Sequence, residues 1–234
     1  STQGYSSAAS DVYKRQKDAL RVLEEEEISL VVSDVMMPEM NGFELCRMIK
    51  SQLPFSHIPV ILLTALTDER QRIFGITGGA DDYIQKPFHT DYVKIKIIHL
   101  LQERQKLRER LLEKLRDNKL LLSEPEKVES IDDAFLRKFA EQIEAVYADP
   151  EYNVEKLSET LGLSRGHLHR KIKELTGTAP VEFLRTYRLN KATQLLRQNA
   201  YTVSEVAYRT GFSSPAYFSK CFKAVYGVTP TEYQ

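Results

Sequence analysis

The chain has 234 residues with an ordinary apolar content of 42%, which suits two small domains, each with a packed core. No apolar run approaches the roughly 20 residues needed to span a bilayer, no secretory signal is visible, and Cys46 and Cys221 fall in different predicted domains, as single reduced thiols of a cytosolic protein rather than a disulfide framework or a metal site. The balance of 33 basic and 33 acidic residues conceals an asymmetry, because residues 124–161 hold 4 Lys+Arg against 11 Asp+Glu (net −7) and residues 162–234 hold 11 against 4 (net +7).

In chain order, short apolar runs at 28–34 (ISLVVSD), 58–64 (IPVILLT) and 81–87 (DDYIQKP) alternate with helical patterns at 41–52 and 67–76. Short strands alternating with helices predict parallel βα units. In such sheets function gathers at the carboxyl ends of the strands, where Asp34, Thr64 and Lys86 stand. A carboxylate, a hydroxyl and an ammonium at one crevice fit phosphoryl transfer to the carboxylate. Asp34 would be the nucleophile, Thr64 a donor to a phosphoryl oxygen and Lys86 a point charge on another. Taken singly, each has a plainer reading as a helix cap, a strand residue or a solvated lysine.

A helix is predicted from Thr90 to about Asp117, with Val93, Ile97, Leu100, Leu107 and Leu111 at near-heptad spacing broken by Arg104. The stretch 102–116 carries charges of both signs, as on an exposed helix with i,i+4 pairs. Two readings compete, a parallel dimer contact along helix 90–117 and a last domain helix overrunning into solvent; the first is favoured. Residues 118–131 read as a flexible linker.

An amphipathic helix follows at 132–146, with Phe135, Leu136, Phe139 and Ile143 inward. Beyond it, two stretches repeat each other. Val154, Leu157, Gly162 and Leu163 recur as Val203, Val206, Gly211 and Phe212, and after one inserted residue Leu168, Ile172, Gly177 and Pro180 recur as Phe218, Phe222, Gly227 and Pro230. Each copy reads as a helix-turn-helix, over 153–177 and 202–227, joined by a helix at 180–198 with Phe183, Leu184, Tyr187, Leu195 and Leu196 apolar. Asn153, Ser164, Thr202 with Glu205, and Ser214 before Pro215 are the expected caps. A connecting helix of about 18 residues spans roughly 27 Å, so two recognition helices can enter successive major grooves about one DNA turn, roughly 34 Å, apart. On the first, Leu168, Ile172 and Leu175 face the core, while Arg165, Gly166, His169, Arg170 and Lys173 face out. On the second, Phe218, Phe222 and Val225 face the core, while Ser214, Ala216, Tyr217, Lys220 and Lys223 are the candidate DNA contacts. Arg170 has the geometry for a bidentate guanine contact, and the basic surplus of this half is the footprint of phosphate binding. His167 and His169, two apart, do not share a helix face and are not a metal pair.

The words SDVMMPEMNGFEL, LLTA and GADDYIQKPF resemble the receiver domain of two-component response regulators, over about residues 17–103. The resemblance implies a flavodoxin-like α/β fold, Asp34 as phosphoacceptor, Thr64 and Lys86 as phosphate-sensing residues and Tyr83 as the aromatic switch. It also implies Mg²⁺ held by Asp34 and the Met36 carbonyl, with Pro38 and Gly42 shaping the loop. The family's acidic pair at the end of its first strand is missing. Residues 17–27 look like the family's second helix, so the first strand, first helix and second strand are absent, and 1–16 (STQGYSSAASDVYKRQ) look like a non-native leader. Such a receiver is expected to have an unpaired apolar edge, an incomplete Mg²⁺ site, and to be phosphorylated poorly.

RLNKATQLL and the second helix-turn-helix resemble the DNA-binding domain of the AraC/XylS family, over about 131–234, with 104–130 as connector and linker. The family's base-reading positions fall on Gly166, His169 and Arg170 and on Ala216, Tyr217 and Lys220. Together the two halves resemble the output end of hybrid two-component regulators of Bacteroidetes. That implies a transcription regulator binding double-stranded DNA, a histidine kinase partner within the same parent chain or outside it, and a cytoplasmic place or the cytoplasmic tail of an inner-membrane sensor. No catalysis beyond receiver phosphotransfer is expected. The alternative is a phosphorelay or interaction module that barely binds DNA.

Overall fold

The computed structural model describes residues 16–37, 41–65, 79–116 and 130–234. The chain divides into two units, Ser1–Val93 and Lys94–Gln234. The helical pattern at 67–76, residues 1–15, Pro38 and residues 118–129 lie outside the described residues, and Gln16, read from the sequence with the stretch before it, begins α1.

In the first unit, α1 (Gln16–Glu25) leads to β1 (Val31–Asp34), followed by α2 (Gly42–Ser51), β2 (Val60–Thr64) and β3 (Asp82–Gln85). The strands form a parallel sheet in the order β1-β2-β3, with Asp34 opposite Leu63 and Thr64 opposite Gln85. Among the described residues β1 is an edge, and its Val32 is 39% exposed. One face of the sheet and helices α1 and α2 enclose Leu23, Leu45, Cys46, Ile49, Val60 and Leu62, while Ile61 and Ile84 are also buried. Asp81 closes the sheet's lower end: it accepts the Val60 amide at 2.8 Å and pairs with Lys50 at 2.6 Å.

The helix α3 (Thr90–Arg116) crosses the division between the units. Its expected seam is half-buried at Val93, Ile97 and Leu100, but Leu107 is exposed, and the side chain of Leu111 lies outside the description. A second apolar row, Tyr92, Ile95, Ile98 and Leu101, is exposed.

The second unit continues with α4 (Ile131–Val146), α5 (Val154–Leu161), α6 (Arg165–Thr176), α7 (Pro180–Arg197), α8 (Val203–Arg209), α9 (Pro215–Tyr226) and a short α10 (Pro230–Tyr233). Every cap expected from the sequence forms: Asn153, Ser164 and Ser214 each accept a backbone N–H three residues on, and Thr202 with Glu205 closes a capping box. These bonds satisfy amides that a helix start otherwise leaves open.

The α7 helix is buried on more sides than its pattern suggests. Phe183 meets Phe139 of α4 edge-on at 4.7 Å, whereas Leu189, Ala192 and Leu196 join Val206, Phe212, Phe218 and Phe222 in the second core. Asn190 is buried between them and accepts the Tyr226 hydroxyl at 2.6 Å. Three inward assignments change. Leu136 and Leu175 are half-buried, and Val225 is 49% exposed because Tyr226 turns inward instead, against Phe222 and Tyr233.

Gly211 lies in the turn before α9 with φ +79°, and a Cβ there would meet the Tyr147 carbonyl oxygen at 2.1 Å and Arg188 Nε at 2.8 Å. Arg188 in turn donates to the carbonyl oxygens of Tyr147 and Asp149 at 2.8 and 2.7 Å. This knot ties the end of α4, the middle of α7 and the second turn together.

Candidate phosphoacceptor crevice and nucleic-acid interface

The parallel register brings the strand ends level. Asp34 closes β1, Thr64 closes β2, and Lys86 follows β3. The Lys86 amide donates to the Thr64 carbonyl at 2.7 Å, and its ammonium forms an ion pair with Asp34 Oδ2. Asp34 Oδ1 accepts the Met36 amide at 3.1 Å. Partial burial acts to raise the Asp34 carboxyl, but the hydrogen bonds from Lys86 and Met36 and the lysine charge outweigh it, so its pKa lies below the ordinary value. With its side chain 32% exposed, Asp34 presents a partly accessible carboxylate at the strand end. The loop behind it depends on Gly42, whose Cβ would stand 2.4 Å from the Asp34 carbonyl oxygen, because the Gly42 amide donates to Val35 at 2.9 Å.

Thr64 is half-buried at the same end, tied to Lys86 through its backbone. Tyr83 stands away from the crevice, two residues inside β3 and half-buried against the core, where burial pushes its phenol up to about 12. Met36 is 71% exposed, and its amide is the group that meets Asp34. Mg²⁺ prefers near-octahedral oxygen ligands, usually with more than one carboxylate or phosphate among them. Among the described residues no three His, Cys, Asp or Glu side chains gather, and the Asp34 carboxylate is already engaged by Lys86. The described residues therefore do not complete a Mg²⁺ site.

In the second unit, α6 and α9 each begin at a serine cap and end at a left-handed glycine, Gly177 or Gly227. On α6, Leu168 and Ile172 are fully buried. Arg165, Gly166 and Lys173 are exposed, and His169 and Arg170 half-exposed. On α9, Phe218 and Phe222 are fully buried. Ala216, Tyr217, Lys220 and Lys223 are exposed, and Ser214 is half-buried in its cap. Arg165 pairs with Glu155 at 2.6 Å, so its charge is partly spent.

The basic surplus divides. Lys171 is buried against Asp132, Arg188 holds two carbonyls, Lys191 pairs with Glu144 at 2.8 Å, Arg197 donates to the Tyr233 hydroxyl, and Arg209 lies over the Tyr201 ring at 4.2 Å. Arg170 and Lys173 lie on the outward face of α6, and Lys220 and Lys223 on that of α9. Arg185 of α7, which sequence reasoning passed over, hydrogen-bonds the Tyr217 side chain, a contact that holds its guanidinium above the ordinary value. No local signal joins two residues so far apart in sequence. Arg165, Arg185, Arg188 and Tyr217 line a groove of about 270 Å³ between the two helix-turn-helix units.

Residues 2–98 match the family model of the response regulator receiver domain, and residues 157–234 match that of a helix-turn-helix domain. The receiver match begins within 1–16. A protein called histidine kinase P4 from Formosa agariphila is 39% identical over 93% of the chain, which spans 16% of that protein. The transcriptional regulatory protein GltR of Pseudomonas aeruginosa is 44% identical over 39% of the chain and 38% of its own length. The chain thus spans well under half of either relative. Among solved structures, the C-terminal domain of the response regulator yesN from Fusobacterium nucleatum is 33% identical, covering 41% of this chain and 93% of that one with a TM-score of 0.40.

Proposed function

The chain joins a response regulator receiver domain to a helix-turn-helix domain of the AraC type, and from that premise we propose that it is a sequence-specific DNA-binding regulator gated by phosphorylation of Asp34 in its intact parent. The carrying observation is the pair of capped helices α6 and α9, which present Arg170 with Lys173 and Lys220 with Lys223 from either end of α7. Each recognition helix would lie in a major groove, with Arg170 reading a guanine edge and the lysines neutralising phosphates.

At the crevice, an Asp34 oxygen would attack the phosphorus of a phosphohistidine on the partner kinase. The P–N bond breaks, the imidazole keeps the electron pair and takes a proton, and an acyl phosphate forms. Lys86 and Thr64 would then face phosphoryl oxygens, the lysine leaving its ion pair with the carboxylate. Mg²⁺ would offset phosphoryl charge in an intact receiver. The exposed row Tyr92, Ile95, Ile98 and Leu101 supports pairing of two chains along α3, which would raise local DNA affinity by linking two binding modules. No helix among the described residues is long and apolar enough to cross a membrane, and the proposed site of action is cytoplasmic DNA.

The test is selection from a random DNA library with the full chain at near-physiological salt. Enrichment of a site with two half-motifs about one helical turn apart is expected. Bulk binding that falls steeply with salt and selects nothing would refute sequence reading and favour a phosphorelay module.

A further inference from the structure

Both recognition helices bury an apolar face, but the contacts beside it differ. On α9, Phe222 packs on Tyr226 of the same helix and on Tyr233 of α10 with centroids 4.6 and 5.2 Å apart, and the Tyr226 hydroxyl donates to Asn190 of α7. Beside the buried Leu168 and Ile172, α6 is held by ion pairs. The Lys171 side chain is 0% exposed, with Nζ 2.5 Å from Asp132 of α4 and 5.0 Å from the Phe135 ring centroid. One turn on, Arg108 of α3 donates Nε to the Glu174 carbonyl at 2.5 Å and a terminal nitrogen to the Glu174 carboxylate. The carbonyl is one that a helix end leaves without an intrahelical partner, and a cation is favoured there.

Lys171 and Glu174 stand about 60° apart on the helical wheel, on the flank that separates the buried Leu168 and Ile172 from Arg170. Ion pairs on that flank resist rotation of α6 about its own axis. Rotation matters because a constellation that recognises its target works only within roughly 10–20° of its productive orientation. An apolar pair of similar volume would often stabilise as well as a buried ion pair, so stability alone does not account for this one.

We propose that Lys171 and Glu174 are positioning residues for base reading, setting the rotation at which Arg170 and His169 meet the DNA. The proposal rests on the reading that α6 lies in a major groove. It makes base discrimination in the α6 half-site dependent on these two ion pairs, and discrimination in the α9 half-site independent of them.

The test uses the full chain on the selected site, with single-base substitutions in each half-site and thermal melting in parallel. The half-site whose preference relaxes in Arg170→Ala identifies the α6 side. Lys171→Met keeps an unbranched apolar stem, one atom shorter, and removes the charge. It should cost about tenfold in discrimination on the α6 side, the size of one mismatched base pair, and nothing on the α9 side. Lys171→Arg should restore most of the loss, and Glu174→Gln should show the same one-sided pattern more weakly. Equal losses on both sides, or none, would overturn the proposal. Should Lys171→Met fail to fold, an unchanged α6 half-site in Glu174→Gln overturns it. A wild-type chain without base preference in either half-site refutes the DNA reading and this proposal together, whereas wild-type preference with unaffected variants refutes the proposal alone.

Discussion

Replacing Gly211 by alanine measures how the second turn is locked against the end of α4 and the middle of α7. Gly211 and Gly227 share a φ of +79°, but a Cβ on Gly227 meets nothing within 4 Å, whereas on Gly211 it meets a backbone oxygen at 2.1 Å and Arg188 at 2.8 Å. Gly227→Ala therefore pays only for a left-handed alanine, about 1–2 kcal/mol. Gly211→Ala carries the same strain and must also displace the Tyr147 carbonyl and Arg188. That displacement loosens the guanidinium bonds at 2.8 and 2.7 Å, and a hydrogen bond to a charged group contributes about 1.5–3 kcal/mol. The expected total is about 3–5 kcal/mol, so the two variants should differ by about 2–3 kcal/mol, a large share of a typical domain's stability. Urea melts of the full chain, followed by helical circular dichroism through the transition of the helical unit, read the difference. Equal midpoints would refute the argument that the turn is packed against the Tyr147–Arg188 knot.

Arg170→Ala should relax preference at one position of the selected site and cost about 1–3 kcal/mol; a loss spread evenly over all sequences would make Arg170 a phosphate contact instead. The Asp34 carboxyl is held below its ordinary range in the fold, so its ion pair stabilises above the unfolded value, about 3.9, and this contribution fades as pH falls through the folded pKa. Lys86→Met should accordingly raise the Asp34 pKa in a carboxyl NMR titration, and an unmoved titration would show that Lys86 does not set it. Cys46 is fully buried and its thiol is pushed up to about 11 by that burial, so iodoacetamide should modify Cys221 and spare Cys46 until urea is added; equal rates in the native chain would contradict the packing of α2. A small phosphodonor with Mg²⁺ should label Asp34 only weakly, since among the described residues no three His, Cys, Asp or Glu side chains gather to hold the ion, and strong labelling by phosphoprotein mass spectrometry would show that the ligand set is sufficient.

The helices of the second unit were legible because their signals are local. A serine or threonine cap acts three residues ahead, as at Ser164 with His167 and Thr202 with Glu205, and a glycine after the last turn marks its end. The parallel strands were equally plain, because a short apolar run ending in Asp34, Thr64 or Lys86 needs no partner to be recognised. What periodicity could not decide was which of two adjacent apolar residues turns inward. Tyr226 displaced Val225 because its ring reaches Phe222 and Tyr233 and its hydroxyl reaches Asn190 on α7. Lys171 reads as one more solvated lysine in a basic helix until Asp132 and Phe135, more than thirty residues earlier, close over it. The sequence by itself determined where helices and strands start and stop and which residue types crowd each end of the sheet, since those depend on backbone hydrogen bonds a few residues long. Only the tertiary structure decided which charges are paired inside the protein and which lie on the outward faces of α6 and α9, because the energy of a charge depends on partners that the fold, not the spacing, brings within reach.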